Sequence, residues 1–231
     1  MYRARGAAAA ASSAYAALAA LVAAGELCGI DRWAVDHAMP GARFTGRKPS
    51  LLDALIPLRH VQWHGVTHVA AELVTLPASV VPATILVASC CLRIGGRRAV
   101  GLGAAYVLAN GIEELTKSAL TRPALRQGSL HLASFDSSYP SGHAVRAVLI
   151  AVGVALAWPV LGVAGAVWAA CAVVMLEVGG FHVPSDIAGG LLLATALVTA
   201  ATAAEAEAPE AESSAPLSGP SRACRPSSRA R

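Results

Sequence analysis

The chain has 231 residues, of which 55% are hydrophobic and only 14% charged, with a formal net charge of +4. Soluble domains carry about 25% charged residues. This composition, with a mean hydropathy of +0.56, excludes an ordinary soluble domain and predicts an all-α fold, a polytopic membrane helical bundle.

The first predicted element is an apolar run over about 10–30, preceded by Arg3 and Arg5. The stretch from Gly6 to Ile30 is too long for a cleaved signal peptide, so it reads as a first span that doubles as an uncleaved anchor. The segment 31–65 is mixed, interrupted by Pro40, Gly41, Gly46 and Pro49. Within it, Leu51, Leu52, Leu55 and Leu58 predict a short amphipathic helix lying at the interface. Further spans are predicted at 66–92, 98–118, 142–159, 161–181 and 184–203, giving about six transmembrane helices. Residues 1–203 read as one transmembrane domain, and 204–231, rich in Ala, Glu, Ser, Pro and Arg, as a disordered tail. Cys28, Cys90, Cys91 and Cys171 sit in apolar stretches and Cys224 in the tail, a pattern of small core residues and not of a disulfide framework.

The basic residues are scattered without aromatic platforms, so no nucleic acid is expected as a partner. The charge suits membrane lipids or an anionic substrate. Arg3, Arg5, Arg93, Arg97 and Arg98 fall on one side of the predicted bundle, with the tail arginines. Arg32, Arg43, Arg47, Lys48 and Arg59 fall on the other. The positive-inside rule then mildly favours both chain ends inside and the 3–4 and 5–6 loops outside. The expected location is the plasma membrane, with the site facing away from the cytoplasm.

Charged residues within spans are costly and invite a functional reading. Glu113 and Lys117 stand four apart on one helix face and can form an ion pair. Alternatively Lys117 serves an anion, together with Arg122 and Arg126 at the mouth of the bundle. Tyr139-Pro140-Ser141-Gly142-His143 then opens the fourth span. Serine is a good helix cap, glycine leaves the backbone open, and a helix N-terminus attracts anions. His143 beside it suits a general acid, because imidazole titrates near neutrality. Arg146, three residues on, shares its helix face. His182 and Asp186 are four apart, and a carboxylate holding one imidazole nitrogen frees the other as a nucleophile. The two histidines are 39 residues apart (182 minus 143), about two crossings at roughly 20 residues each. That spacing returns His182 to the membrane face that His143 occupies.

These motifs resemble the phosphatidic acid phosphatase type 2 superfamily, whose membrane members are six-helix phosphatases. The family pattern is Lys, six residues, Arg-Pro; then Pro-Ser-Gly-His; then Ser-Arg, five residues, His, three residues, Asp. The second motif is intact here at Pro140–His143, and the third keeps His182, Asp186 and a following Gly189-Gly190. Two departures stand out. Only four residues separate Lys117 from Arg122-Pro123, with Ala124 at the family's arginine position, and the third motif has Met175-Leu176 in place of Ser-Arg. The resemblance implies phosphoryl transfer through a phosphohistidine, without metal or other cofactor. His182 would be the nucleophile, His143 the general acid and Asp186 the orienting carboxylate. Lys117, Arg122, Arg126, Ser141, Gly142 and Arg146 would hold the phosphate, with Arg146 standing in for the arginine absent at position 176. The substrate would be a lipid phosphate or a polyprenyl (di)phosphate.

Two rivals remain at this stage. A stripe of His60, His64, His68 and Glu72 suggests a membrane metalloenzyme, although four ligands in a row on one helix cannot close a tetrahedron around one ion. The missing arginine suggests a degenerate family member that binds or transports lipid without catalysis.

Overall fold

The computed structural model describes residues 2–39 and 66–213. The predicted amphipathic helix at 51–58, together with His60 and His64, lies outside the described residues. Eight helices are described: α1 (Tyr2–Ala24), α2 (Cys28–His37), α3 (Val66–Thr75), α4 (Val80–Ile94), α5 (Gly96–Ala119), α6 (Gly142–Ala157), α7 (Gly162–Val178) and α8 (Pro184–Ser213). Two-residue strands β1 (Arg126–Gln127) and β2 (Leu130–His131) form a small antiparallel hairpin between α5 and α6. A helix stands at each of the six predicted span ranges. α1, α8 and the stretch Pro159–Val178 ending in α7 are each long and apolar enough to cross a bilayer, and the bent pair α3–α4 makes a fourth such unit. The architecture is that of an all-α integral membrane bundle.

α6 is the central helix. Val145, Leu149 and Ile150 on it bury against Ala83, Val87 and Cys90 of α4, Leu102, Ala105, Tyr106 and Ala109 of α5, and Leu193 and Ala194 of α8. Alanine and glycine recur at these contacts, as expected where helices associate without a hydrophobic driving force and close approach supplies the attraction. A second cluster, Val35, Met39, Leu125, Leu132, Phe135 and Val183, joins α2 and the hairpin region to the chain just before α8. That cluster fixes the segment carrying His182.

Three boundaries differ from the sequence reading. The first span begins at Tyr2 and ends at Ala24, where Gly25 takes φ +79° and turns the chain into α2. A side chain at Gly25 would also collide with Pro123, its Cβ 2.8 Å from the ring. Residues 31–37, expected in a mixed segment, are therefore helical, and Asp31, Ala34 and Val35 among them are buried. The predicted 66–92 span is broken by a short 3-10 turn at Leu76–Ala78 and bent by 44°. Proline removes an N–H and clashes with the preceding turn; Pro77, inside the break, cannot bond the carbonyl of Leu73, and Pro82, in the first turn of α4, cannot bond the carbonyl of Ala78, four residues back. The third difference is at the end of the chain. α8 continues to Ser213, so the boundary placed at 203/204 falls inside a helix, and Glu205 on it lies 3.9 Å from Arg98.

Among the described residues Cys28, Cys90, Cys91 and Cys171 are free thiols.

Candidate active site

The site is built where the C-terminal end of α5, the N-terminal turns of α6 and α8, and the first turn of α2 meet. Ser141 caps α6, its Oγ accepting from the Ala144 N–H at 3.3 Å. The same residue donates its own N–H to the backbone carbonyl of Asp186 at 2.9 Å. That bond ties the Pro-Ser-Gly-His loop directly to the His-x3-Asp segment. It also corrects one expectation: the Ser141 N–H is not available to a phosphate. The contact needs α8 to lie almost on the loop. A Cβ on Gly190 would stand 2.5 Å from the Ser141 carbonyl oxygen, and one on Gly189 would stand 2.4 Å from the Tyr139 ring.

The loop is anchored from its other side by α1. Tyr15 stacks on Tyr139 with ring centroids 6.0 Å apart, and its hydroxyl meets Thr116 Oγ1 at 2.8 Å. Burial, and then the nearby Tyr15 and Asp186, push the Tyr139 phenol well up, so it stays protonated.

His143 and His182 face each other with ring centroids 6.2 Å apart and planes tilted by 53°. His182 precedes α8 instead of lying on it. Its backbone N–H is held by the carbonyl of Leu176 at 3.1 Å, so the residue in the place of the family's arginine still anchors the histidine by its main chain. The Leu176 side chain packs into an apolar cluster with Ala144 and Ile187. His182 Nδ1 points at Asp186 Oδ2 across 3.5 Å, within ion-pair range but beyond an ordinary hydrogen bond.

Asp186 is fully buried and held at both oxygens. Arg122 Nη1 donates to Oδ1 at 2.9 Å and Ser138 Oγ to Oδ2 at 2.5 Å. Arg122 was expected to meet phosphate. Instead its Nη2 pairs with Asp31 on α2 and also reaches Ser185 Oγ at 3.2 Å, so both its terminal nitrogens are committed to protein groups. Asp31 is also fully buried and accepts from the Ser185 N–H at 3.1 Å and Ser185 Oγ at 2.7 Å. Burial pushes the Asp31 carboxyl up, against the opposing pull of Ser185 and Arg122. Sequence reasoning passed over Asp31, Ser138 and Ser185. The only available signal was an acidic residue just past an apolar run.

Glu113 is the other centre. Its Oε1 accepts from Lys117 Nζ at 2.5 Å and its Oε2 from Arg146 Nη1 at 2.8 Å. The Glu113–Lys117 ion pair left open by the sequence is thus formed. Arg146 is also held by Asn110 Oδ1 at 2.9 Å and, through Nε, by the carbonyl of Ala78 at 2.7 Å. The second of these is the carbonyl that Pro82 leaves without a helical partner. Arg126 does not join the group: it is exposed on β1, in register with His131. The structure therefore brings His143, His182, Asp186, Ser141, Gly142, Lys117 and Arg146 together, turns Arg122 toward carboxylates, and leaves Arg126 outside.

A bundle of apolar helices with two histidines facing across one end, a carboxylate behind one of them and cations beside the other, has the fold of a membrane phosphatase. Residues 98–209 match the PAP2 superfamily. A solved structure described as "Crystal structure of the first transmembrane PAP2 type phosphatidylglycerolphosphate phosphatase from Bacillus subtilis" is similar at 15% identity and a TM-score of 0.58. The match covers 90% of this chain and 98% of that one. No curated protein matches the sequence.

Proposed function

We propose that this protein is a metal-independent phosphatase that hydrolyses a lipid phosphate or polyprenyl (di)phosphate through a phosphohistidine. The observation that carries this reading is the facing pair His143 and His182, 6.2 Å apart with Asp186 behind His182. Because Nδ1 of His182 faces Asp186, Nε2 is the nitrogen left to attack phosphorus. The scissile P–O bond breaks as the N–P bond forms, and His143 gives its proton to the leaving oxygen. Water then attacks the phosphohistidine, with His143 taking its proton, and His182 is released. Most of the acceleration in phosphoryl transfer comes from positioning and charge. Lys117, Arg146, the Ser141 hydroxyl and the α6 N-terminus at Gly142 supply these. Arg122 and Asp31 act behind Asp186 as positioning residues.

The setting supports a lipid substrate. The site lies at the end of apolar helices, where a headgroup meets water and its chain stays in lipid. We place that end outside the cytoplasm. Arg97 and Arg98 start α5 and Lys117 ends it, so they are separated by roughly 30 Å at 1.5 Å per residue. The arginine-rich end is the one the positive-inside rule assigns to the cytoplasm.

The test is phosphate release from a panel of lipid phosphates by purified protein in detergent with chelator present. Release that disappears in His182→Ala supports the reading. No release from any member of the panel overturns it.

A further inference from the structure

The two cations placed beside the catalytic histidines share a single carboxylate. Glu113 is buried at 3% exposure and bonded by Lys117 on one oxygen and Arg146 on the other. Its carboxylate also fills the space that opens onto the first turn of α6. A Cβ on Gly142 would stand 1.9 Å from Oε1 and 2.2 Å from Oε2. An anion drawn to the α6 N-terminus thus meets a resident anion next to His143. Arg146 cannot easily swing away to leave it, because Asn110 and the Ala78 carbonyl hold its other donors. Asn110 is itself fixed by donation to the Tyr106 carbonyl at 2.7 Å. Arg122 adds no net positive charge, being faced by both Asp31 and Asp186.

We infer that Glu113 is a specificity-determining residue that lowers the charge of the phosphate seat and selects monophosphate headgroups over diphosphates. The inference rests on the phosphatase reading above and narrows its substrate class. Lys117 and Arg146 supply two positive charges and Glu113 removes one. A terminal monophosphate brings up to two negative charges, and a diphosphate brings at least one more to the same largely buried group of side chains. Like charges a few ångströms apart in such a site repel far more strongly than in water. The penalty for the second phosphoryl group is therefore set by the carboxylate already present.

The experiment measures binding of inorganic phosphate and inorganic pyrophosphate to the full-length protein in detergent, with chelator, by calorimetric titration. Wild-type protein should bind pyrophosphate no more tightly than phosphate. Glu113→Gln keeps the shape and removes the charge; it should gain at least tenfold in pyrophosphate affinity and clearly less for phosphate. Glu113→Asp should keep the wild-type preference. A tenfold pyrophosphate preference in the wild type overturns the inference whether or not any variant folds. An unchanged ratio in a folded Glu113→Gln protein overturns it as well, and so does failure of the wild type to bind either anion. Loss of the broader reading has a separate signature: normal anion binding with no hydrolysis of any lipid phosphate.

Discussion

Arg122 and Asp186 form a buried ion pair at 2.9 Å, and the pair is closed from behind by Asp31. The carboxylate that faces His182 is thus held by a guanidinium that is held in turn by a second carboxylate. Loss of Asp31 leaves Arg122 paired with Asp186 but takes the carboxylate acceptor from Arg122 Nη2 and from the buried Ser185 N–H; a buried donor left unsatisfied costs about 1–3 kcal/mol. Asp31→Ala is expected to lower stability in detergent by that order, read as an earlier thermal unfolding transition. Asp31→Asn should keep the fold and reduce kcat with little change in KM if, as proposed, the group positions Asp186 without touching substrate. Asp31→Glu should restore part of the rate. A rise in KM alone would point instead to a role in binding.

His182→Ala should abolish phosphate release while the protein remains monodisperse. Brief reaction of the parent with labelled substrate should leave an acid-labile, base-stable phosphoenzyme, absent from the variant. Parent-like turnover in His182→Ala would end the phosphohistidine mechanism. His143→Ala makes the complementary test. If His143 protonates the leaving oxygen, an aryl phosphate with an activated leaving group should retain much more of its rate than a lipid phosphate. Equal losses on the two substrates would assign His143 to binding.

Gly190→Ala probes the junction of the two motifs. Its Cβ would lie 2.5 Å from the Ser141 carbonyl oxygen, a backbone atom, so α8 and the loop must separate. Overpacking of this kind costs typically about 1–3 kcal/mol, and a shift of about 1 Å between catalytic groups can cost roughly a hundredfold in rate. The expected variant is folded, modestly destabilised and nearly inactive. Near-normal kcat would show that the close approach is not needed for chemistry.

The parts of this site that were legible in the sequence are those whose signal is local. Pro140–His143 and His182-x3-Asp186 announce themselves by spacing, and apolar runs announce the helices. Asp31 is different. It lies 91 residues from Arg122, in a stretch whose later prolines and glycines read as a loop, and only the Gly25 turn against Pro123 brings it home. The bend at Leu76–Ala78 was also hidden. Hydropathy continues smoothly through it, and Pro82 acts by a missing N–H whose consequence, a carbonyl offered to Arg146, is a tertiary event. Arg122 was misassigned for a related reason. A guanidinium beside a phosphatase motif suits phosphate and carboxylate equally, and the choice depends on two aspartates that other helices deliver.

Topology can be read from the hairpin. Ser129 is exposed in the turn between β1 and β2, on the site's side of the bundle. A cysteine there, in a variant cleared of native cysteines, should react with an impermeant maleimide on intact cells. Labelling only after permeabilisation would place the active site in the cytoplasm.

Arg146 carries the remaining weight. An arginine in the second turn of an apolar helix needs a partner or a task, and the structure supplies three partners: Glu113, Asn110 and the Ala78 carbonyl. These bonds use Nε and Nη1. Among the described residues Nη2 makes none, so the fork is anchored at one end with an amino group still to give. That arrangement suits a preorganised phosphate donor, because the ordering cost is met before substrate arrives. On the proposed mechanism it would replace in function the arginine absent at Leu176, whose side chain packs in an apolar cluster with Ala144 and Ile187. Arg146→Ala should therefore cut kcat/KM by roughly a hundredfold, the order lost with one preorganised donor. It should also weaken the fold, since Glu113 keeps one cation and the Ala78 carbonyl keeps no donor. Arg146→Lys separates the two effects. An ammonium can still oppose Glu113 but lacks the fork, so most of the stability should return and only a minor part of the rate. If lysine restores both fully, Arg146 is a structural counter-ion for Glu113, and Lys117 is the cation that meets the phosphate.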